Sequence, residues 1–120
     1  MTAASEPVTI YYNPCCSKSR QTLALLRERG IEPRVVEYLK TPPDAATLTA
    51  LLAVLGLEPE DVTRRGEPAY RDAGLDGPAL GRRERIDRMV RHPQVIERPI
   101  VQAGERARVG RPPEAVLEIL

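Results

Sequence analysis

The run Val8-Thr9-Ile10-Tyr11-Tyr12, stopped by Asn13-Pro14, followed by a helical stretch and then by a second β-branched run, constrains this chain more than any other feature. β-Branched and aromatic residues favour the pleated strand, and Asn-Pro ends it. The stretch after it carries Leu23, Leu25 and Leu26 among its apolar positions, with Ser17 or Ser19 available as a cap. Arg27 and Arg29 fall in its last turn and Gly30 follows, the polarity expected of a helix C-terminus. Arg34 to Leu39 (RVVEYL) reads as the second strand. Two strands joined through a helix lie parallel, with a right-handed crossover. Residues 8–39 are therefore expected to form a β-α-β unit.

Beyond it, Thr41-Pro42-Pro43-Asp44 opens a helix capped by Asp44, with Leu48, Leu51, Leu52 and Leu55 on one face and Gly56 past its end. Residues 58–81 are polar and broken by Gly and Pro, which predicts brief helices and loops. Glu84 to Arg91 places Ile86, Met89 and Val90 on one side of a helix stopped by His92-Pro93, with His92 as a C-terminal residue of that helix rather than a base. The period then changes. Ile100–Gln102 and Ala107–Val109, joined by residues 103–106, read as a β-hairpin, and Gly110-Arg111-Pro112-Pro113 leads into a final helix from Glu114 to Leu120. The expectation is an α/β chain forming one domain over 1–120. Its order is that of a thioredoxin-like fold with a helical insertion (42–93) between an N-terminal βαβ unit (8–39) and a C-terminal ββα unit (98–120).

Composition narrows the function classes. With no Trp and no Phe, the core must be built from Leu, Val, Ile and Ala. The apolar share of 42% and charged share of 29% are those of a soluble globular protein. A net charge of +1 gives no electrostatic case for nucleic acid. No apolar run approaches the roughly 20 residues of a membrane helix, and MTAASEP lacks the basic and apolar regions of a signal peptide. A cytoplasmic monomer is expected. The two cysteines are adjacent, Cys15 and Cys16. A disulfide between neighbours closes a strained ring, which argues against a structural staple. The absence of C-x-x-C argues against a self-contained dithiol oxidoreductase and against a zinc knot, so neither a metal nor a bound cofactor is expected.

Cys16 stands where the first strand hands over to its helix. Free N–H groups and the macrodipole at a helix start stabilise an anion, and only the thiolate, the minor form of an ordinary thiol near neutral pH, is a nucleophile. Ser17, Ser19 and Arg20 are near enough in sequence to add hydrogen bonds or positive charge. The plain alternative is a small buried hydrophobe, but the surroundings are polar loop and helix start. Cys15 reads as a passenger, with resolution of an oxidised Cys16 as the alternative.

Several motifs now combine: Asn13-Pro14-x-Cys16-x-x-Ser19-Arg20, Tyr38-Leu39, Thr41-Pro42-Pro43, Arg98-Pro99-Ile100-Val101 and Gly110-Arg111-Pro112-Pro113-Glu114. Together they resemble the glutaredoxin-coupled arsenate reductase family, in its small branch with a short C-terminus, over nearly the whole chain. The resemblance implies a thioredoxin-like fold with a helical insert. It implies reduction of arsenate to arsenite, an arsenic-resistance activity, with glutathione as co-substrate and glutaredoxin as partner. It places the nucleophile on Cys16 and the oxyanion-binding arginines on Arg98, Arg111 and Arg64, with Arg65 the neighbouring alternative for the third. Asn13, Ser19, Arg20 and Pro99 would support the site, and the Arg98-Pro99 bond would be cis. Arginine's planar fork of donors suits a tetrahedral oxyanion. Arginine is abundant in this chain, and any single one is more often a solvated surface residue.

The chain departs from the family pattern at Tyr12, where members typically carry His. A phenol is no cation near neutral pH, so thiolate stabilisation would fall to the helix end and the arginines. Two other readings stay open: a related thiol reductase acting on another substrate, and a redox-responsive regulator of the same fold that binds RNA polymerase.

Overall fold

Alternation of apolar residues places Ile10 at the centre of a four-stranded sheet of order β2-β1-β3-β4, where β1 is Val8–Tyr12, β2 Arg34–Glu37, β3 Ile100–Ala103 and β4 Arg106–Val109. The computed structural model describes residues 7–77 and 80–120. The expectation that the N-terminus is no targeting segment falls mainly on residues 1–6, outside the described residues, as do positions 78 and 79 of the expected loop region.

β1 and β2 pair in parallel, Ile10 opposite Val35, as the β-α-β reading requires. β1 and β3 pair antiparallel, Ile10 opposite Val101 and Tyr11 opposite Ile100. β3 and β4 form the expected hairpin, with longer strands and a tighter turn than the sequence suggested, because Ala103 and Arg106 still pair. Helix α1, Ser17–Glu28, crosses between β1 and β2. It buries Leu23 and Leu26 against Ile10, Val101 and Val116, with Tyr12, Leu25 and Ile119 packed around them. Each such fully buried aliphatic side chain contributes roughly 1.5–3 kcal/mol.

Three sequence expectations are corrected here. The N-cap of α1 is Cys16 itself, in extended conformation and without a side-chain cap bond, rather than Ser17 or Ser19. The reason is that the Cys16 carbonyl already accepts the Arg20 N–H at 3.1 Å, so the helix begins one residue earlier than a Ser17 cap would allow. The second strand ends at Glu37, and Tyr38 turns in to be fully buried rather than continuing the ladder. The last segment, Pro113–Ile119, is a 3-10 helix rather than an α-helix, its first i→i+3 bond running from the Ala115 N–H to the Pro112 carbonyl.

The chain divides into two compact units. One holds residues 7–38 and 98–120, which include the sheet and α1; the other spans Leu39–Glu97. In the second unit, α2 (Ala45–Leu55) is capped by Asp44, whose carboxylate accepts the Thr47 N–H at 2.7 Å. That helix is closed by Gly56 at φ 69°, a left-handed conformation that favours glycine. Helices α3 (Pro68–Asp72) and α4 (Arg82–Arg91) follow, with 3-10 turns at Pro59–Val62 and Pro93–Val95. Leu48, Leu52, Val62, Leu75, Met89 and Val95 are fully buried.

Candidate active site

The loop between β1 and α1 is held by its own side chains. Asn13, buried, accepts the Cys15 N–H on Oδ1 at 2.9 Å and the Cys16 N–H on its carbonyl at 3.0 Å. Its own N–H donates to Ser19 Oγ at 3.3 Å, and Ser19 is completely buried on the first turn of α1. Arg20 donates from Nη1 to the Pro14 carbonyl at 2.8 Å, which ties the loop back to the helix. The main chain through Cys16 is thereby fixed before any substrate arrives.

Antiparallel pairing of β1 with β3 carries the segment before Ile100 to the end of β1 where this loop begins. Arg98 and Pro99 lie there, joined by a cis peptide bond, and Arg111-Pro112 is cis as well. Gly110 follows β4 and donates its N–H to the Pro99 carbonyl at 2.9 Å. A Cβ at Gly110 would stand 2.8 Å from both Pro99 Cγ and Thr22 Oγ1. Only glycine permits this approach of the two arginine-bearing segments. Arg111 then reaches across. Its Nε donates to the Arg98 carbonyl at 2.8 Å, and its Nη2 lies 3.7 Å from Cys16 Sγ.

These contacts set the electrostatics of the thiol. Partial burial pushes the Cys16 pKa up, but the Ser19 N–H and hydroxyl, the Arg98 guanidinium and the Lys18 N–H outweigh it, lowering it from 9.0 to about 7. Burial works against the charge on Arg98, and Tyr38 and the Cys16 sulfur more than restore it. A half-ionised thiol beside two guanidiniums is a nucleophile with a place for an oxyanion next to it.

The structure thus brings Asn13, Cys16, Ser19, Arg20, Arg98, Pro99 and Arg111 together in one unit. Arg64 belongs to the other unit. Its N–H donates to the Val95 carbonyl at 2.6 Å, its guanidinium faces Glu67 at 3.8 Å, and its Nη1 is buried without a hydrogen-bond partner. Arg65 beside it is exposed. Tyr12 packs on the core cluster of the first unit. His92 caps α4 with its main chain, the N–H reaching the Arg88 and Met89 carbonyls. Among the described residues no three His, Cys, Asp or Glu side chains gather to hold a metal ion, and no helix is long and apolar enough to cross a membrane. Sequence reasoning missed Tyr38 and Gly110 as site residues. Each stood inside a motif, and only burial and close approach reveal what they do.

Residues 11–119 match the ArsC family. The chain belongs to that family. The E. coli K12 protein named "Uncharacterized protein YfgD" is 50% identical over 117 residues, covering 97% of this chain and 98% of that one. A relative from Rhizobium meliloti, named arsenate reductase, is 47% identical, with 94% of this chain and 81% of its own length aligned. The solved structure of an arsenate reductase from Vibrio cholerae superposes with a TM-score of 0.92 at 47% identity, covering 97% of this chain and 99% of that one. The fold is thioredoxin-like, as is that of its ArsC neighbours.

Proposed function

We propose that this chain is an arsenate reductase that draws its electrons from glutathione and glutaredoxin in the cytoplasm. The observation that carries the reading is the Cys16 thiol at the start of α1 with Arg111 Nη2 3.7 Å from its sulfur. Arsenate is a tetrahedral oxyanion, and Arg98 and Arg111 offer it charge-assisted donors beside the nucleophile. The Cys16 thiolate attacks arsenic and an arsenate oxygen leaves as water, giving a thiol–arsenate adduct. Glutathione displaces a second oxygen as water and forms a mixed adduct. Glutaredoxin's thiolate then takes the glutathionyl sulfur as a disulfide. The electron pair of the broken As–S bond stays on arsenic, which falls from the pentavalent to the trivalent state. Water then attacks it, the bond to Cys16 breaks, and arsenite leaves with the thiol restored. No second thiol of a C-x-x-C pair is available to close this cycle internally, which is the chemical reason for an external donor.

The test is arsenite formation from arsenate with glutathione and glutaredoxin present. The wild-type chain should require both, and Cys16→Ser should fall to background. Equal rates for the two chains would overturn the reading. Arg111→Ala should raise the arsenate KM by roughly tenfold or more. The family pattern also assigns an oxyanion role to Arg64. The same kinetics on Arg64→Ala beside Arg65→Ala decide between these two neighbours.

A further inference from the structure

Cys15 is a thiol beside the nucleophile that the reaction above leaves unused. It is exposed, Cys16 is half-buried, and neither cysteine is in a disulfide. Both backbones are fixed by the same residue, Asn13, through its Oδ1 and its carbonyl. Adjacent Cα atoms stand about 3.8 Å apart across a trans peptide, so the two sulfurs start from neighbouring points. Among the described residues the Cys15 thiol makes no hydrogen bond, and rotation about its Cα–Cβ bond is left to set the distance between the sulfurs. A direct disulfide here would close a strained ring. One atom placed between the sulfurs enlarges that ring and lets them stay further apart.

We propose that Cys15 and Cys16 form a chelating site for trivalent arsenic. Soft thiolate ligands suit a soft, thiophilic centre, and the lowered Cys16 pKa supplies the first ligand already ionised near neutral pH. In the first step the Cys16 thiolate attacks As(OH)3 and hydroxide departs, taking a proton from solvent. In the second, the Cys15 thiol displaces another hydroxyl as water. Two As–S bonds form, two As–O bonds break and two waters leave. Arsenic stays trivalent and no electrons move. The second bond is intramolecular, and this separates a chelate from two independent thiols. In turnover, a consequence that rests on the reading above, the product would be held longer by this chain than by one with a single thiol.

The experiment is a titration of the reduced full chain with sodium arsenite, followed by native mass spectrometry and by protection from iodoacetamide. The wild-type chain should bind one arsenic and protect both cysteines together. Cys15→Ser, Cys15→Ala and Cys16→Ser should each bind roughly a hundredfold more weakly. Undiminished binding by the Cys15 variants, or two arsenics per wild-type chain, would overturn the chelate. The titration contains no arsenate and no electron donor. Its failure leaves the reductase reading standing, and failure of the turnover assay leaves the chelate standing.

Discussion

Tyr38 is hydrogen-bonded to the Arg98 guanidinium, which is in turn hydrogen-bonded to Cys16. Tyr38 is 1% exposed, so its phenol has no water to turn to and Arg98 serves as its polar partner. The arginine is thereby held between a buried oxygen and a half-buried sulfur, both within the sheet-bearing unit.

Tyr38→Phe keeps the ring and removes the oxygen. Arg98 loses its Tyr38 anchor, and the Cys16 pKa should move up from about 7 toward 9.0. Thiolate absorbance against pH, in a Cys15→Ser background, reads this directly. Stability should fall by about 1 kcal/mol, the usual net worth of one hydrogen bond. A Cys16 titration identical to that of the parent would reduce Tyr38 to a space-filling residue.

The folded Cys16 pKa of about 7 lies below its ordinary 9.0. Between those values the unfolded chain binds more protons than the folded one, so stability rises with pH across this window. The contribution is complete above the unfolded value and lost as pH falls through about 7. Denaturant unfolding of the parent and of Cys16→Ser, compared at the two ends of the window, should show the parent's advantage widening toward high pH. An advantage that stays constant would mean that the thiolate is not favoured by folding. Ser19 supplies two of the bonds behind the shift.

Gly110→Ala should damage the site without touching a charged group. The new methyl must be relieved by shifts at both Pro99 and Thr22, each 2.8 Å away. Overpacking of this kind costs about 1–3 kcal/mol. A displaced Pro99 shifts the adjoining Arg98 carbonyl that holds Arg111, so the arsenate KM should rise together with the loss of stability. Unchanged kinetics at lowered stability would separate the packing of Gly110 from the arginines.

Most elements were legible because their patterns are local. The β-branched run of β1, the Asp44 cap and the leucine spacing of α2 each carry their own signal. Cys16 was legible for the same reason, as a thiol at a strand–helix junction. Boundaries went astray where tertiary burial decides them. Tyr38 leaves β2 because its ring enters the core and its oxygen meets Arg98, a residue remote in sequence. Ser19 reads as a cap by type but is used to bind Asn13 from inside the helix. Gly110 carries no sequence mark that separates it from a turn glycine, because its role depends on the approach of Pro99 and Thr22. Arg98 and Arg111 came from the motif resemblance, since nothing local distinguishes them among so many arginines.

Arg111 and Cys16 are 95 residues apart in the chain and meet only once β3 has paired with β1 and β4 with β3. Contacts of such long separation form late, after loop closure has been overcome. Until β3 pairs with β1 Cys16 lacks Arg98, and until β4 pairs with β3 it lacks Arg111, so only the Ser19 and Lys18 contacts of its own helix lower its pKa. The pair of guanidiniums beside the thiol is thus a property of the finished sheet. A chain emerging from the ribosome carries a thiol activated only by its own helix start, and gains the arginines beside it as the sheet is completed.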